Sequence, residues 1–417
     1  MPEQKKAVVP RLRFPEFRDA GPWEVKRLGE VVSIANGLSV VQNNEPPGIK
    51  VTRIETISDG FVDITKVGYI KSLDDIESYK LQVGDILFSH INSLDHIGKC
   101  AFIDQPFDLY HGMNLLRFRV HKRDSVPKFI YYVVCSEPFR SSIRSRANQA
   151  VNQASINQTE VGRSRIALPP FLEQQKIADC LSSLDELIEL QAKQLEALQA
   201  HKKGLMQQLF PREGETTPRL RFPEFRDAGP WEVKRLGDES VAKFIRDTAP
   251  RSDLHPETYV STENMLPDFG GITQASSLPA SGTIKQYRRQ DILIANIRPY
   301  LKKVWQADRN GTASNDVIVV RPSSEICPRY LGILLASDTF ISYVMAGAKG
   351  LKMPRGDIAL IKQYPVGLPT KIAEQQKIAD CLSSLDELIE LQAKQLEALK
   401  AHKKGLMQQL FPQEIDL

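Results

Sequence analysis

No run of about 18 apolar residues occurs in the sequence, so no membrane-spanning helix is expected. The amino terminus, MPEQKKAVVPRLRF, is charged and lacks the apolar core of a secretory signal. Cysteine is scarce and odd in number: five residues with no CxxC pair, which argues against a disulfide framework or a zinc ribbon and fits a reducing compartment. An excess of one charge is missing too. Lys and Arg number 55 against 51 Asp and Glu, a net +4, so any case for nucleic-acid binding rests on local clusters. The sequons at Asn157 and Asn310 carry little weight in a chain not expected to be secreted. What remains is ordinary globular composition, 41% hydrophobic and 25% charged over 417 residues, in a chain expected to be soluble and cytoplasmic.

Signatures of chemistry are also lacking. His90, His96, His111 and His121 lie close together in sequence, but their spacing fits no familiar metal-ligand pattern and no cysteine cluster accompanies them. Gly98-Lys99 lacks the upstream glycine and the Ser or Thr of a phosphate-binding loop. HExxH, GxSxG and the kinase signatures do not occur. Neither the Asn/Asp-Pro-Pro-aromatic motif of adenine methyltransferases nor a nuclease carboxylate set is visible. The expectation is a chain without catalytic residues or a metal of its own.

What the sequence does have is duplication. EQQKIADCLSSLDELIELQAKQLEALQAHKKGLMQQLFP, Glu173 to Pro211, returns from Glu374 to Pro412 with one change, Gln199 to Lys400. A shorter block, PRLRFPEFRDAGPWEVKRLG, occupies Pro10 to Gly29 and again Pro218 to Gly237. In the long block, Ile177, Leu181, Leu184, Ile188, Leu195, Leu198, Leu205 and Leu209 recur in steps of three and four if Gln191 and Lys202 fill the two missing seam positions. That spacing predicts a coiled-coil helix. Pro169 and Pro170 precede it, and Pro211 stops it. Antiparallel pairing of the two copies within one chain is the preferred reading, with Gln191 and Lys202 as register markers; a homodimeric coil is the alternative. A membrane-surface helix is disfavoured because the polar faces carry Glu as well as Lys. Cys180 and Cys381 would then lie too far apart to bridge.

The stretches between the repeats align as two versions of one α+β domain. GDILFSHI (Gly84 to Ile91) matches QDILIANI (Gln290 to Ile297), and NLLRFRV (Asn114 to Val120) matches DVIVVRP (Asp316 to Pro322). PKFIYYVVCSEPF (Pro127 to Phe139) matches PRYLGILLASDTF (Pro328 to Phe340) and reads as helix, its apolar residues being too continuous for a half-exposed strand. The expected segments are 1–172 (first domain with its short block), 173–211 (central coil), 212–373 (second domain with the repeated block) and 374–417 (C-terminal coil). The expected architecture sets the two domains at opposite ends of a paired antiparallel coil, with pseudo-two-fold symmetry. DNA has local two-fold symmetry and suits such a reader.

Two kinds of cluster point to the reading face. RSSIRSRANQAVNQASINQTEVGRSR (Arg140 to Arg165) supplies Arg144, Arg146, Asn148, Gln149, Asn152 and Gln153; its counterpart in the second domain supplies Lys349, Lys352 and Arg355. IKQYRRQDILIANIRPYLKK supplies Arg288, Arg289, Asn296, Arg298, Tyr300, Lys302 and Lys303; its counterpart supplies Ser89, His90, Asn92, Ser93, His96 and Lys99. Arginine contacts phosphate and reads guanine bidentately, while Asn and Gln pair with the adenine edge. Any one of these side chains could equally be plain solvated surface. Their occurrence at equivalent places in both domains favours a shared DNA-binding face.

The layout resembles the DNA-specificity subunit of type I restriction–modification enzymes over essentially the whole chain. The features that carry the likeness are PRLRFPEF…WEVKRLG before each domain, the GDIL and QDILIANIRP strands, and LPPFLEQQKIADCLSSLDELI with its copy LPTKIAEQQKIADCLSSLDELI. The resemblance implies that each domain reads one half of a split, asymmetric DNA sequence, with coil length setting the gap between the halves. It implies a subunit without activity or cofactor of its own. Two modification subunits would use S-adenosylmethionine to methylate adenine, docking around Glu173 to Pro211, Glu374 to Pro412 and the blocks near Trp23 and Trp231, and restriction subunits would join through them. The rival reading is a coiled-coil scaffold whose two domains bind protein partners. A fragment of a single-chain restriction–methylation enzyme is a weaker rival, since no catalytic segment is visible. Near-identity of the copies would also permit recombination between them.

Overall fold

The computed structural model describes residues 8–412 except 59, 72–74, 124, 151–152 and 351. The chain divides into two units, one of Met1–Ala192 with Lys394–Leu417, the other of Lys193–Ala393. Among the described residues no helix is long and apolar enough to cross a membrane.

In the first unit a four-stranded antiparallel sheet runs in the order Val32–Asn36, Leu115–Val120, Ile86–Ser89, Cys100–Phe102. The run Ile86–Ser89 is buried throughout, and apolar up to Phe88, because both of its faces are covered. Ile86 and Phe88 share one face with Leu116 and Phe118, which belong to the same core as the helix Pro127–Cys135; Leu87 lies on the other, clustered with Ile57, Val67 and Leu115. Asp85, at the start of this strand, is buried and receives a fork from Arg119, Nε at 2.8 Å and Nη2 at 2.7 Å. Helix Pro127–Cys135 and helix Glu137–Arg146 are separate because Ser136 is extended and Pro138 opens the second.

The second unit builds the same sheet from Ala242–Ile245, Val317–Pro322, Ile292–Ala295 and Val304–Gln306. Asp291 takes the place of Asp85 and receives the same fork from Arg321, at 2.8 and 2.7 Å. Helices Pro328–Leu335 and Asp338–Ala346 follow. The units differ in what is added. The first carries a short hairpin of Ile49–Val51 and Gly68–Ile70, whereas the second carries a three-stranded sheet of Tyr259–Val260, Gly311–Ser314 and Ile284–Tyr287 with one parallel pair.

The copied blocks become helices Phe171–Leu209 and Ile372–Leu410, each of 39 residues and so about 58 Å long at 1.5 Å per residue. Each starts two residues before the expected Glu. Within the first unit the two helices pair antiparallel: Gln191 Nε2 donates to Gln395 Oε1 at 3.1 Å, and Lys403 pairs with Asp185. The second unit repeats this with Gln392 donating to Gln194 at 3.0 Å and Lys202 pairing with Asp386. Intrachain antiparallel pairing is therefore what the heptads encode, and Gln191 and Lys202 both make cross-helix polar contacts. Cys180 and Cys381 are free thiols.

The EQQ triplet fastens each helix to its domain. Glu173 is buried and accepts both arms of Arg13 from the short block, while Gln174 accepts the Val126 N–H at 3.0 Å and donates to the Pro169 carbonyl at 3.0 Å. Arg221, Glu374, Gln375 and Cys327 repeat the arrangement. The far end of the opposite helix also enters each core. In the first unit Leu410 and Phe411 pack with Trp23 and Phe129, the Phe129 and Phe411 rings lying 5.7 Å apart. In the second, Leu209 joins the core and Phe210 stacks near Trp231 and Tyr330 at 6.2 and 5.6 Å.

Candidate nucleic-acid interface

In the first unit the two clusters read from the sequence meet on a small antiparallel sheet. Its strands are Ile91–Asn92, Gln153–Ser155 and Asn148–Ala150, in that spatial order. Ala154 and Ile156 turn inward and are buried, so the residues alternating with them turn outward. Asn148, Gln149 and Gln153 are exposed. Among the described residues none of these three amides has a side-chain partner. Asn152 lies outside the described residues.

Three of the candidate cations of this unit, Arg144, Arg146 and Lys99, are tied down rather than free. Arg146 donates to Ser164 Oγ at 2.7 Å and to the carbonyls of Glu160 and Ser142 at 3.2 Å, fixing the base of the hairpin. Arg144 pairs with Glu137, and Lys99 donates to the Ser58 carbonyl at 2.9 Å. Ser89 and His90, expected on the reading face, are buried beneath the small sheet, because the strand that ends at Ser89 is covered on both sides and His90 follows directly on it. Burial pushes the His90 imidazole down to about 4, so it is neutral. Its carbonyl accepts the Ile156 N–H at 3.0 Å, which anchors the hairpin. Asn92 is spent locally, on Ser89 Oγ at 3.4 Å and the Ser93 N–H at 2.8 Å. Ser93 and His96 are exposed, His96 on the turn Leu94–His96 beside it. Asn157 and Gln158, interleaved in the same stretch, are structural: Asn157 caps helix Gln158–Gly162 and Gln158 binds Ile34 and Asn36.

The second unit builds a corresponding junction with other side chains. Lys349 and Arg355 exchange backbone hydrogen bonds at 3.0 and 2.9 Å, closing a hairpin in which Gly350 has φ +101°. The segment after strand Ile292–Ala295 docks on it: Gly356 N–H donates to the Asn296 carbonyl at 3.0 Å and Arg298 N–H to Pro354 at 2.8 Å. Gly356 fits closely here: a Cβ would meet Asn296 Oδ1 at 3.0 Å and two side-chain carbons at 3.1 Å, so a larger residue would require those side chains to shift by a few tenths of an ångström. Arg298 and Lys302 flank the turn Pro299–Leu301 with φ of +53° and +54°, a conformation costing on the order of 1 kcal/mol at each non-glycine residue. The turn is held by N–H bonds from Asp268 and Phe269 to the carbonyls of Leu301 and Lys302.

On this surface Arg298, Tyr300, Lys352 and Met353 are exposed. Lys302 pairs with Asp338 at 2.8 Å, Lys349 with Asp357 at 2.7 Å, and Arg355 with Asp316 at 3.3 Å, while Lys303 is spent on the Thr262 carbonyl at 2.6 Å. Asn296 Oδ1 is buried without a hydrogen-bond partner among the described residues. Arg288 and Arg289 do not join the group. They sit at the other end of the Ile292–Ala295 strand from Asn296, separated by its four residues, about 13 Å of strand rise.

Sequence reasoning missed two features. Met353 is an apolar side chain 49% exposed on the cationic hairpin. In the first unit Ser39–Gln42, Arg53–Glu55, Met113 and Asn114 line an open groove of about 540 Å³, over which Arg53 is held by Gln42, Asn44 and the Asn43 carbonyl at 2.8 Å each. The Asn-rich run before Pro46 was the available signal for that groove. Among the described residues no group of His, Cys, Asp and Glu could hold a metal.

The sequence model of the family described as type I restriction modification DNA specificity domain matches residues 21–200 and 229–401. A Methanocaldococcus jannaschii protein provisionally named as the specificity subunit of the type I restriction enzyme MjaX is 35% identical over 404 residues, covering 94% of this chain and 93% of its own. The crystal structure of a type I restriction–modification S subunit from M. genitalium superposes with a TM-score of 0.63 at 15% identity, covering 98% of this chain and all of that one. A chain from a study of complex assembly and conformational transition in the type I system gives 0.52 at 18% identity, covering 95% and 98%. Two matched domains and a full-length relative agree with the paired hairpins: the chain belongs to the type I restriction–modification DNA specificity family.

Proposed function

We propose that this specificity subunit reads a split, asymmetric double-stranded DNA target, one half with each domain, and docks two adenine-methyltransferase subunits that hold S-adenosylmethionine. Restriction subunits join through those partners in the full complex. The observation that carries the reading is the pair of hairpins: each unit builds a projecting polar ribbon at the same place in its element order, from different side chains, on a frame whose Asp–Arg and Arg–Glu forks are the same. A two-stranded ribbon fits the major groove, where base pairs are distinguishable. A copied frame with divergent ribbons is what two different half-sites require.

Docking is supported by exposed leucines on the coils. Leu187 and Leu190 are 42% and 54% exposed, and their copies Leu388 and Leu391 are 50% and 54% exposed. Three apart on a helix, each pair forms one apolar spot repeated in both copies, the type of surface a partner covers. The test is the adenine methylome of the native host with and without this gene. Loss of one split motif is the expected result; an unchanged methylome overturns the reading.

A further inference from the structure

The two ribbons present opposite chemistries. On the first ribbon, the exposed strand side chains without partners among the described residues are the amides Asn148, Gln149 and Gln153, with Ser93 and His96 on the turn beside them, and the neighbouring cations Arg144, Arg146 and Lys99 are engaged within the protein. On the second, Arg298 and Lys352 are exposed cations, and Arg355 is 58% exposed with its guanidinium steered by Asp316. An arginine oriented by a carboxylate keeps its remaining N–H groups free while losing less freedom on binding.

We infer that the first domain reads its half-site through side-chain amides at A·T pairs, and the second through arginine forks at G·C pairs, with Lys352 on phosphate. The inference rests on the split-target reading above. Asn and Gln match adenine N6 and N7, whereas Arg matches guanine O6 and N7. Register adds a spacing. Asn148 lies opposite Ser155 and Gln153 opposite Ala150, so Asn148 and Gln153 share the outward face two rungs apart. Two rungs are roughly 6.6 Å, close to two base-pair steps. The first half-site is therefore expected to hold A·T pairs two steps apart. The domains also differ in salt response, because amides on base edges release no counterions and Lys352 on phosphate does.

The experiment is the methylome of the native host carrying the wild-type gene or variants of the full chain, followed by binding of the assembled complex to duplexes of the wild-type motif. Asn148→Ala and Gln153→Ala are expected to relax the same half of the motif, each at one A·T position, with about 5- to 150-fold loss of discrimination. Arg355→Lys keeps the charge but loses the fork, and is expected to relax a G·C position in the other half with the salt slope unchanged. Lys352→Ala is expected to leave the motif intact and lower the slope of log K against log salt by about 0.9. Continued methylation at the unrelaxed half shows that a variant is folded. Asn148, Gln153 and Arg355 variants that change neither half, that relax both sets in one half, or that relax the reverse base classes overturn the inference. Absence of any split motif with the wild-type gene instead overturns the reading on which it rests.

Discussion

Arg13 and Glu173, 160 positions apart, form a buried fork with Nε to Oε1 at 2.8 Å and Nη2 to Oε2 at 2.7 Å. Arg221 and Glu374 repeat it at 2.7 and 2.8 Å. Each fork joins a short copied block to the start of a long copied helix, so the two kinds of repeat are parts of one joint. Removing one partner of such a pair strands a buried charge. Glu173→Ala is expected to destabilise the first unit by about 3–5 kcal/mol, and Arg13→Met with Glu173→Leu by clearly less. Urea melts of the single and double variants check this; equal losses would show that the fork contributes nothing specific.

The second prediction concerns the helix ends. Phe411→Ala removes a ring packed against Phe129 and is expected to cost about 3–5 kcal/mol in the first unit, although the residue lies near the other end of the chain. Phe210→Ala is expected to cost the second unit less, since that ring is half-buried where Phe411 is buried. Hydrogen exchange resolved by segment would show protection lost in the matching unit alone.

Acid sensitivity should concentrate in the first unit. His90 and His111 are held near a pKa of about 4 by burial, against about 6.5 when unfolded. Below pH 6.5 the unfolded chain therefore binds protons that the folded chain refuses, and stability falls with pH until about 4. Above pH 6.5 neither imidazole contributes. Each is expected to cost on the order of 2–3 kcal/mol across that window. His111→Gln should flatten the profile between pH 6.5 and 4, despite losing the bond from Nε2 to the Leu115 carbonyl, and melts taken through that range would reveal it.

For docking, Leu187→Asp with Leu388→Asp is expected to abolish capture of the methyltransferase subunit while leaving DNA binding by the free chain and its melting temperature within a degree or two. Co-purification from the native host is the readout. Undiminished capture would place the docking surface elsewhere.

The sheets and long helices were legible because their signals are strong: apolar strands covered on two faces, and heptads with prolines at both ends. Duplication did the rest, since two noisy copies of GDIL and QDIL fix one strand better than either alone. The candidate surface was legible only in part. Asn148, Gln149, Gln153, Arg298 and Lys352 stand exposed, but composition could not separate a free arginine from one spent on a carbonyl, as Arg146 is. Nor could it tell that Ser89 and His90 lie under the ribbon while Arg288 and Arg289 lie at the strand's other end. Those distinctions depend on long-range pairing such as Ser155 with Ile91, which leaves no local trace.

The order in which the two cores can be completed is the reverse of the order in which the domains are begun. Every residue of the second unit lies between Lys193 and Ala393, whereas the first needs Leu410 and Phe411 to close its core. As the chain emerges from the ribosome, the domain translated first cannot complete its core around Phe129 until the one translated after it has been made.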